Sequence, residues 1–367
     1  MIDACDECLR RAYLLGELAP RLATLLARRD HDAPPVLGLS EKDFVAAVAG
    51  PRREDARRFL DRLDLDAARE QLAAGRFIAV CPHADAYPAL LQPLADPPAV
   101  LFGLGMPDAL DLLRDEPAVA IVGSRSSSGY GTEVAYALGR GLGAAGVPVV
   151  SGLALGIDAT AHRGCLEGGG VPIAVLACGP DVVYPRRHRQ LHESVRAAGL
   201  VLAELPPGTR PFRWSFPARN RIMAGLTRMT VVVEAAQPSG SLITSEFAKD
   251  LGRSVAAVPG RITSNVARGT NSLLKDGAVP ITGPGDVLDE LFGVGMRTVP
   301  EAASAPARPD DPSLRSVLEA AARSPSVDDM ARATCLSIAE VRAALGRLEL
   351  DGHLVRREVG GWEVRVR

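Results

Sequence analysis

The segment IVGSRSSSGYG (121–131) carries the residue types that hold a phosphate without breaking a bond. Gly123 permits a tight turn. Ser126 to Ser128 and the backbone N–H groups that follow can point at an anion, and Arg125 adds a fork that grips two phosphate oxygens at once. The segment lies between an apolar run and a helical stretch, so a helix N-terminus would add its positive end. It is not a Walker loop. None of the three lysines (Lys42, Lys249, Lys275) follows a glycine, which excludes P-loop ATP hydrolysis.

A second feature is charge density. Between Arg186 and Arg228 stand nine arginines against two acids, Glu193 and Glu204, in a chain of net charge −2. Such runs are usually solvated faces. Position sets this one apart, because YPRRHR (with Arg186 and Arg189) follows one apolar run and FPARNR (with Arg219, Asn220 and Arg221) precedes another. Tyr184, Phe212, Trp214 and Phe216 are interleaved, and aromatics beside arginines suit bases stacked along a phosphate chain. The extent of the basic surface favours single-stranded nucleic acid over a small phosphorylated metabolite. QPSGSLITSEFA, with Gly240 and Ser241, adds a further Gly/Ser turn opening a helix, and PGRITSNVARGTN, with Asn271, adds a polar loop at another run's end.

Other candidates read as structural. Gly141-Leu-Gly143-Ala-Ala-Gly146 matches GxGxxG but closes a helix and precedes a strand, the reverse of the dinucleotide fingerprint. Asp158 and His162 stand four apart at a helix start. They could be a base with its orienter, two metal ligands, or a cap and a loop tie, and the lack of a third ligand favours the last. No GxSxG elbow occurs. Six cysteines are too scattered for a disulfide scaffold, and Cys5-x-x-Cys8, without a second pair at zinc-site distance, reads as incidental thiols at a frayed terminus. Neither metal nor cofactor is expected.

These residues need elements to position them. Residues 118–123, 147–154, 171–179, 199–205, 229–235 and 254–260 are short apolar runs, most of them separated by helical stretches. That alternation predicts a doubly wound, mostly parallel α/β sheet at 81–297, with ligands at the strands' carboxyl ends. Residues 1–80 read as a small helical domain, 298–312 as a Pro/Ala linker, and 313–367 as a winged helix whose hairpin turns at Gly360-Gly361. The tail has ten bases and eleven acids over 301–367, which favours protein contact over duplex DNA, although Arg356, Arg357, Arg365 and Arg367 leave a weakly basic wing.

Composition bounds the rest. With 367 residues, 47% of them apolar, and 42 basic against 44 acidic side chains, the chain is neither disordered nor membrane-spanning. Acids rather than bases at the start of MIDACDECLRR give an expectation of a cytoplasmic protein.

Together IVGSRSSSGYG, VSGLALGIDATAH, VLACGPDVVYP, FPARNRIMAGL, VVVEAAQPSGSLITSEFA and VPGRITSNVARGTNSLLKDGA, in this order, resemble the DNA-processing protein A (DprA, or Smf) family across residues 87–292. The helical start resembles the family's sterile-alpha-motif-like domain and the tail its winged helix. The resemblance implies an extended Rossmann fold and a dimeric, non-enzymatic single-stranded DNA-binding protein. It further implies loading of RecA recombinase onto incoming strands coated by single-strand-binding protein, in natural transformation. It points to Gly123, Ser124, Arg125, Arg186, Arg219, Asn220 and Arg221 as DNA contacts. Leu155 stands where many relatives carry a base. The competing reading is a nucleotide-processing hydrolase on the same fold, such as a nucleoside-phosphate glycosidase, with Glu246 as its carboxylate.

Overall fold

Strand β1 (Ile78–Val80), strand β2 (Leu101–Gly105) and the strands β3 (Val119–Val122), β4 (Val149–Ser151), β5 (Pro172–Leu176), β6 (Leu200–Ala203), β7 (Met229–Val232), β8 (Ser254–Ala257) and β9 (Val279–Pro280) form one sheet, ordered β1-β2-β6-β5-β4-β3-β7-β8-β9. Each of the six apolar runs holds one of β3 to β8. From β6 to β9 all neighbours are parallel, while β2 pairs antiparallel with both β6 and β1. The computed structural model describes residues 1–26, 35–300, 309, 311–324, 326–351, 353–356 and 362–364.

The chain winds outward from β3 through β4 and β5 to β6, then returns to lay β7 on the other side of β3. That reversal creates a crevice beyond the carboxyl ends of β3 and β7, where open α/β sheets bind ligands. Helices α6 (Gly129–Ala144), α7 (Ile157–Glu167), α8 (Arg189–Ala198), α9 (Ser215–Leu226), α10 (Gly240–Asp250) and α11 (Arg268–Lys275) connect the strands. They cover both faces, so β3, β5, β6 and β7 are buried along their whole length. The GxGxxG glycines serve packing: a Cβ on Gly143 would stand 2.7 Å from the Cys165 carbonyl oxygen in α7.

The N-terminal helices α1 (Asp6–Leu25), α2 (Glu41–Phe44), α3 (Arg53–Arg62) and α4 (Leu65–Ala74) do not form a core of their own. Leu14, Leu18 and Leu22 of α1 pack in one cluster with Phe44, Leu205, Phe212, Trp214 and Ala218. The contacts accordingly divide the chain into two units, Met1–Thr298 and Val299–Arg367, rather than separating a helical domain at residue 80. The terminus is not frayed either. Ile2 bridges Ala79 in parallel, Asp3 N–H donates to the Ala79 carbonyl at 2.8 Å, and Ala79 N–H donates to the Met1 carbonyl at 3.0 Å.

The second unit contains α13 (Pro312–Ala321), α14 (Val327–Thr334) and α15 (Ile338–Leu350), which follow α5 (Asp108–Asp115) and α12 (Pro284–Phe292) of the first unit in chain order, and an antiparallel pair, β10 (Leu354–Arg356) and β11 (Trp362–Val364). Val317, Met330, Val341, Leu345 and Leu348 make its core. The expected turn at Gly360-Gly361 and Arg357, Arg365 and Arg367 lie outside the described residues. Glu340 is drawn into a capping box with Ser337 at the start of α15, so its carboxylate serves the helix end.

Candidate nucleic-acid interface

Parallel strands put their carboxyl ends on one edge, so the loops after β6, β5, β4, β3, β7 and β8 share a rim. From β6 to β8 there are five strand spacings, about 24 Å at about 4.8 Å each. Arg210 and Arg213 follow β6, Arg186, Arg187 and Arg189 follow β5, Arg125 follows β3, and Arg261 and Arg268 follow β8. All eight are exposed, and among the described residues none of them joins an ion pair. Arg261 and Arg268 were not singled out from the sequence; their signal was only a basic residue in a polar loop at a strand end. Two arginines of the dense segment belong elsewhere: Arg228 immediately precedes β7 and Arg196 ends α8 just before β6, both at the opposite edge.

At the centre of the rim, the Arg125 guanidinium lies 5.1 Å from the centroid of the Phe216 ring, and Phe216 packs at 5.7 Å against Tyr184. Tyr184 is 46% exposed. Arg125, Leu155, Cys178, Tyr184, Phe216 and Arg219 help line a pocket of about 70 Å³. Phe212 and Trp214 are not part of this surface. Both are buried, stacked at 6.3 Å, with the Trp214 indole N–H donating to the Ala19 carbonyl at 3.1 Å. They anchor α1 and offer no face to a base.

The loop after β3 is built more from its own hydrogen bonds than its sequence suggests. A Cβ on Gly123 would come within 2.7 Å of Ile157, so only glycine fits. Ser124 N–H donates to the Glu234 carbonyl at 2.7 Å, and Ser126 N–H donates to Ser124 Oγ at 3.1 Å. Ser128 N–H donates to the Glu234 carboxylate at 2.9 Å, and its hydroxyl does so too. The Glu234 carboxylate thus sits where an anion would meet the start of α6. Arg125 and the exposed Ser126 remain the outward groups of this loop, in place of a cradle of free amides.

FPARNR turns inward. Arg221 is fully buried and ion-paired with Asp96 at 3.0 Å and Glu204 at 2.7 Å. It fastens the proline-rich segment before β2 to the end of β6 and cannot reach a ligand. Burial pushes the Glu204 carboxyl up, and Arg221 pulls it back. Asn220 donates to the Gly240 carbonyl at 3.1 Å and accepts from Arg219 Nε at 3.3 Å. Arg219, also buried, donates to the Val175 carbonyl and faces the pocket from below. Asn271 spends both amide atoms on Gly260, accepting its N–H at 3.2 Å and donating to its carbonyl at 3.1 Å. It shapes the loop that carries Arg261. Gly240 is exposed and Ser241 partly so, beside Ser239, which caps α10.

Asp158 lies in the first turn of α7 and accepts from Gly152 N–H at 3.1 Å. Burial raises its pKa, with Arg219 and two backbone N–H groups opposing. His162 is fully buried, and burial pulls its pKa down to about 3. His188 Nδ1 pairs with the Leu153 carbonyl at 3.0 Å, and His192 Nε2 with the Pro180 carbonyl at 3.0 Å. His188 and His192 therefore hold loops in place. The exposed guanidinium groups of this rim, with rings beside them, are suited to holding phosphates.

The family model described as DNA recombination-mediator protein A matches residues 78–292, and that of the DprA winged helix domain matches residues 301–361. The DNA processing protein DprA of Streptococcus pneumoniae is 45% identical over 207 residues, covering 56% of this chain and 72% of the relative. That of Bacillus subtilis is 37% identical over 296 residues, covering 79% and 96%. Among solved structures, DNA processing protein A of Streptococcus pneumoniae superposes with a TM-score of 0.62 at 35% identity, over 77% of this chain and 96% of that one. The Helicobacter pylori protein, whose structure is described for its single-stranded DNA binding mode, gives a TM-score of 0.51 at 30% identity, over 59% and 96%. With more than half its length matched and its fold shared, this chain belongs to the DNA recombination-mediator protein A family.

Proposed function

We propose that this chain binds single-stranded DNA along the carboxyl rim of its sheet and acts as a recombination mediator. In that role it protects incoming strands and loads RecA recombinase onto DNA coated by single-strand-binding protein during natural transformation. It works in the cytoplasm as a homodimer and catalyses no reaction. The observation that carries the reading is the row of unpaired, exposed arginines from Arg210 to Arg268, centred on Arg125, Phe216 and Tyr184. Its length suits a string of phosphates rather than one. The DNA contacts are Arg125, Ser126, Arg186 and Arg189, with Gly240 and Ser241 at the neighbouring helix start and Arg219 under the pocket. Gly123, Ser124, Asn220 and Asn271 shape the loops that present them.

A nucleoside-phosphate glycosidase would have to enclose a base and a sugar, which takes a cleft of several hundred Å³. The pocket at Arg125 is far smaller. The test is a fluorescence-anisotropy titration with an oligo-dT of about 30 nucleotides and a mixed-sequence strand of equal length, beside an assay for released base from nucleoside monophosphates. The expected result is similar affinity for both strands, weakened by salt, and no base release. Binding to mononucleotides with base release would overturn the proposal in favour of the hydrolase.

A further inference from the structure

The strongest unassigned cluster lies outside the row of arginines, where the N-terminus meets the β1 edge of the sheet. Cys5 is the N-cap residue of α1, and Cys8 sits in its first turn. Cys81 directly follows β1, and His83 stands in the turn after it. His83 Nδ1 is 3.4 Å from Cys5 Sγ, 3.5 Å from Cys8 Sγ and 3.9 Å from Cys81 Sγ. All four candidate ligand atoms lie within 4.8 Å of one another.

Hydrogen bonding does not account for this convergence. A neutral imidazole Nδ1 has one lone pair or one N–H, so it satisfies a single thiol, not three. A tetrahedral ion does account for it. With Zn–S near 2.3 Å and Zn–N near 2.05 Å, ligand atoms at tetrahedral angles stand about 3.6 Å apart for S···N and about 3.8 Å for S···S. The three sulfur–nitrogen distances bracket that value.

We propose that Cys5, Cys8, Cys81 and His83 bind one zinc ion as a closed structural Cys3His site. Three thiols give up their protons on binding, leaving a site of net charge −1. The surroundings suit that charge. The start of α1 presents its positive end, and Cys5 N–H donates to Cys81 Sγ at 3.4 Å. Cys8 and Cys81 are buried while His83 is exposed, so the imidazole closes the site from the solvent side. No fifth group is needed, which makes the role architectural. Cys8 and His83 are 75 positions apart, and joining them pins all the N-terminal helices to β1.

That separation also explains why the pair Cys5-x-x-Cys8 reads as incidental in the sequence: its partner is a Cys-x-His carried by a distant strand end. The experiment is metal analysis of the reduced full-length chain after dialysis against limiting zinc, with cobalt(II) substitution as the second measurement. One zinc per chain, cobalt-thiolate charge-transfer absorption, and loss of both in Cys5→Ser and Cys81→Ser but not in Cys335→Ser are expected. His83→Asn should retain cobalt with altered ligand-field bands and weaker binding. Substoichiometric zinc with no cobalt-thiolate absorption in the folded wild-type chain would overturn the proposal. So would non-reducing peptide mapping that finds a disulfide among the three cysteines in protein purified under argon. Both readouts use the wild type, so a variant that fails to fold leaves the test intact.

Discussion

Arg125 and Arg221 are the same residue type in motifs of equal prominence, yet their surroundings give them opposite roles. Arg125 is exposed, lies beside the Phe216 ring and joins no ion pair among the described residues, whereas Arg221 is buried and ion-paired with two partly buried carboxylates. Arg221→Ala leaves the partly buried carboxylates of Asp96 and Glu204 without this partner, and should cost about 3–5 kcal/mol in denaturant unfolding. Arg125→Ala should leave stability unchanged and weaken oligo-dT binding about five- to tenfold at low salt. Sequence could not separate the two, because a guanidinium meant for a phosphate and one meant for a carboxylate look alike. The acids that claim Arg221 are 125 and 17 positions away. His162 gives a residue-scale pH effect. Its pKa is about 3 when folded and about 6.5 when unfolded, so the unfolded chain takes up the proton first. The stability present above pH 6.5 is therefore lost as pH falls, by up to about 1.4 kcal/mol per pH unit. Urea midpoints between pH 7 and 5 should fall less steeply in His162→Gln than in the wild type.

At the level of elements, the parallel strands were legible because burial on both faces leaves continuous apolar runs. Helix α9 was not. It is buried on every side, Arg219, Asn220 and Arg221 included, so the amphipathic stripe that reveals a surface helix is absent. The aromatics at its N-terminal end divide accordingly. Trp214 is shared with the N-terminal helices, and Trp214→Ala should cost about 3–5 kcal/mol of stability. Phe216→Ala should cost little stability but lower single-strand affinity by about 1–3 kcal/mol, the worth of one stacked base. The start of α6 makes a related point. Its Gly/Ser loop suggests an anion cradle, but the carboxylate that fills the place comes from the end of β7, which only the strand order brings alongside β3.

Across the whole molecule, a net charge of −2 conceals a basic edge, and it is local arrangement rather than total charge that steers a polyanion. The two units have separate cores. A chain ending at residue 298 should therefore fold and keep oligo-dT affinity within about threefold of the full length, as measured by anisotropy. The winged unit was readable from three helices followed by a hairpin, whereas the fusion of the N-terminal helices with the sheet depended on Leu205, Phe212 and Trp214 meeting α1. Single-strand binding at this edge requires the rim's arginines to meet phosphates. The most direct test is the slope of log Kobs against log salt for oligo-dT, compared between the wild type and the Arg125→Ala/Arg186→Ala double variant. Two lost phosphate contacts should make the slope shallower by about 1.4, at about 0.7 each for a single strand. Parallel lines with equal affinity would contradict it.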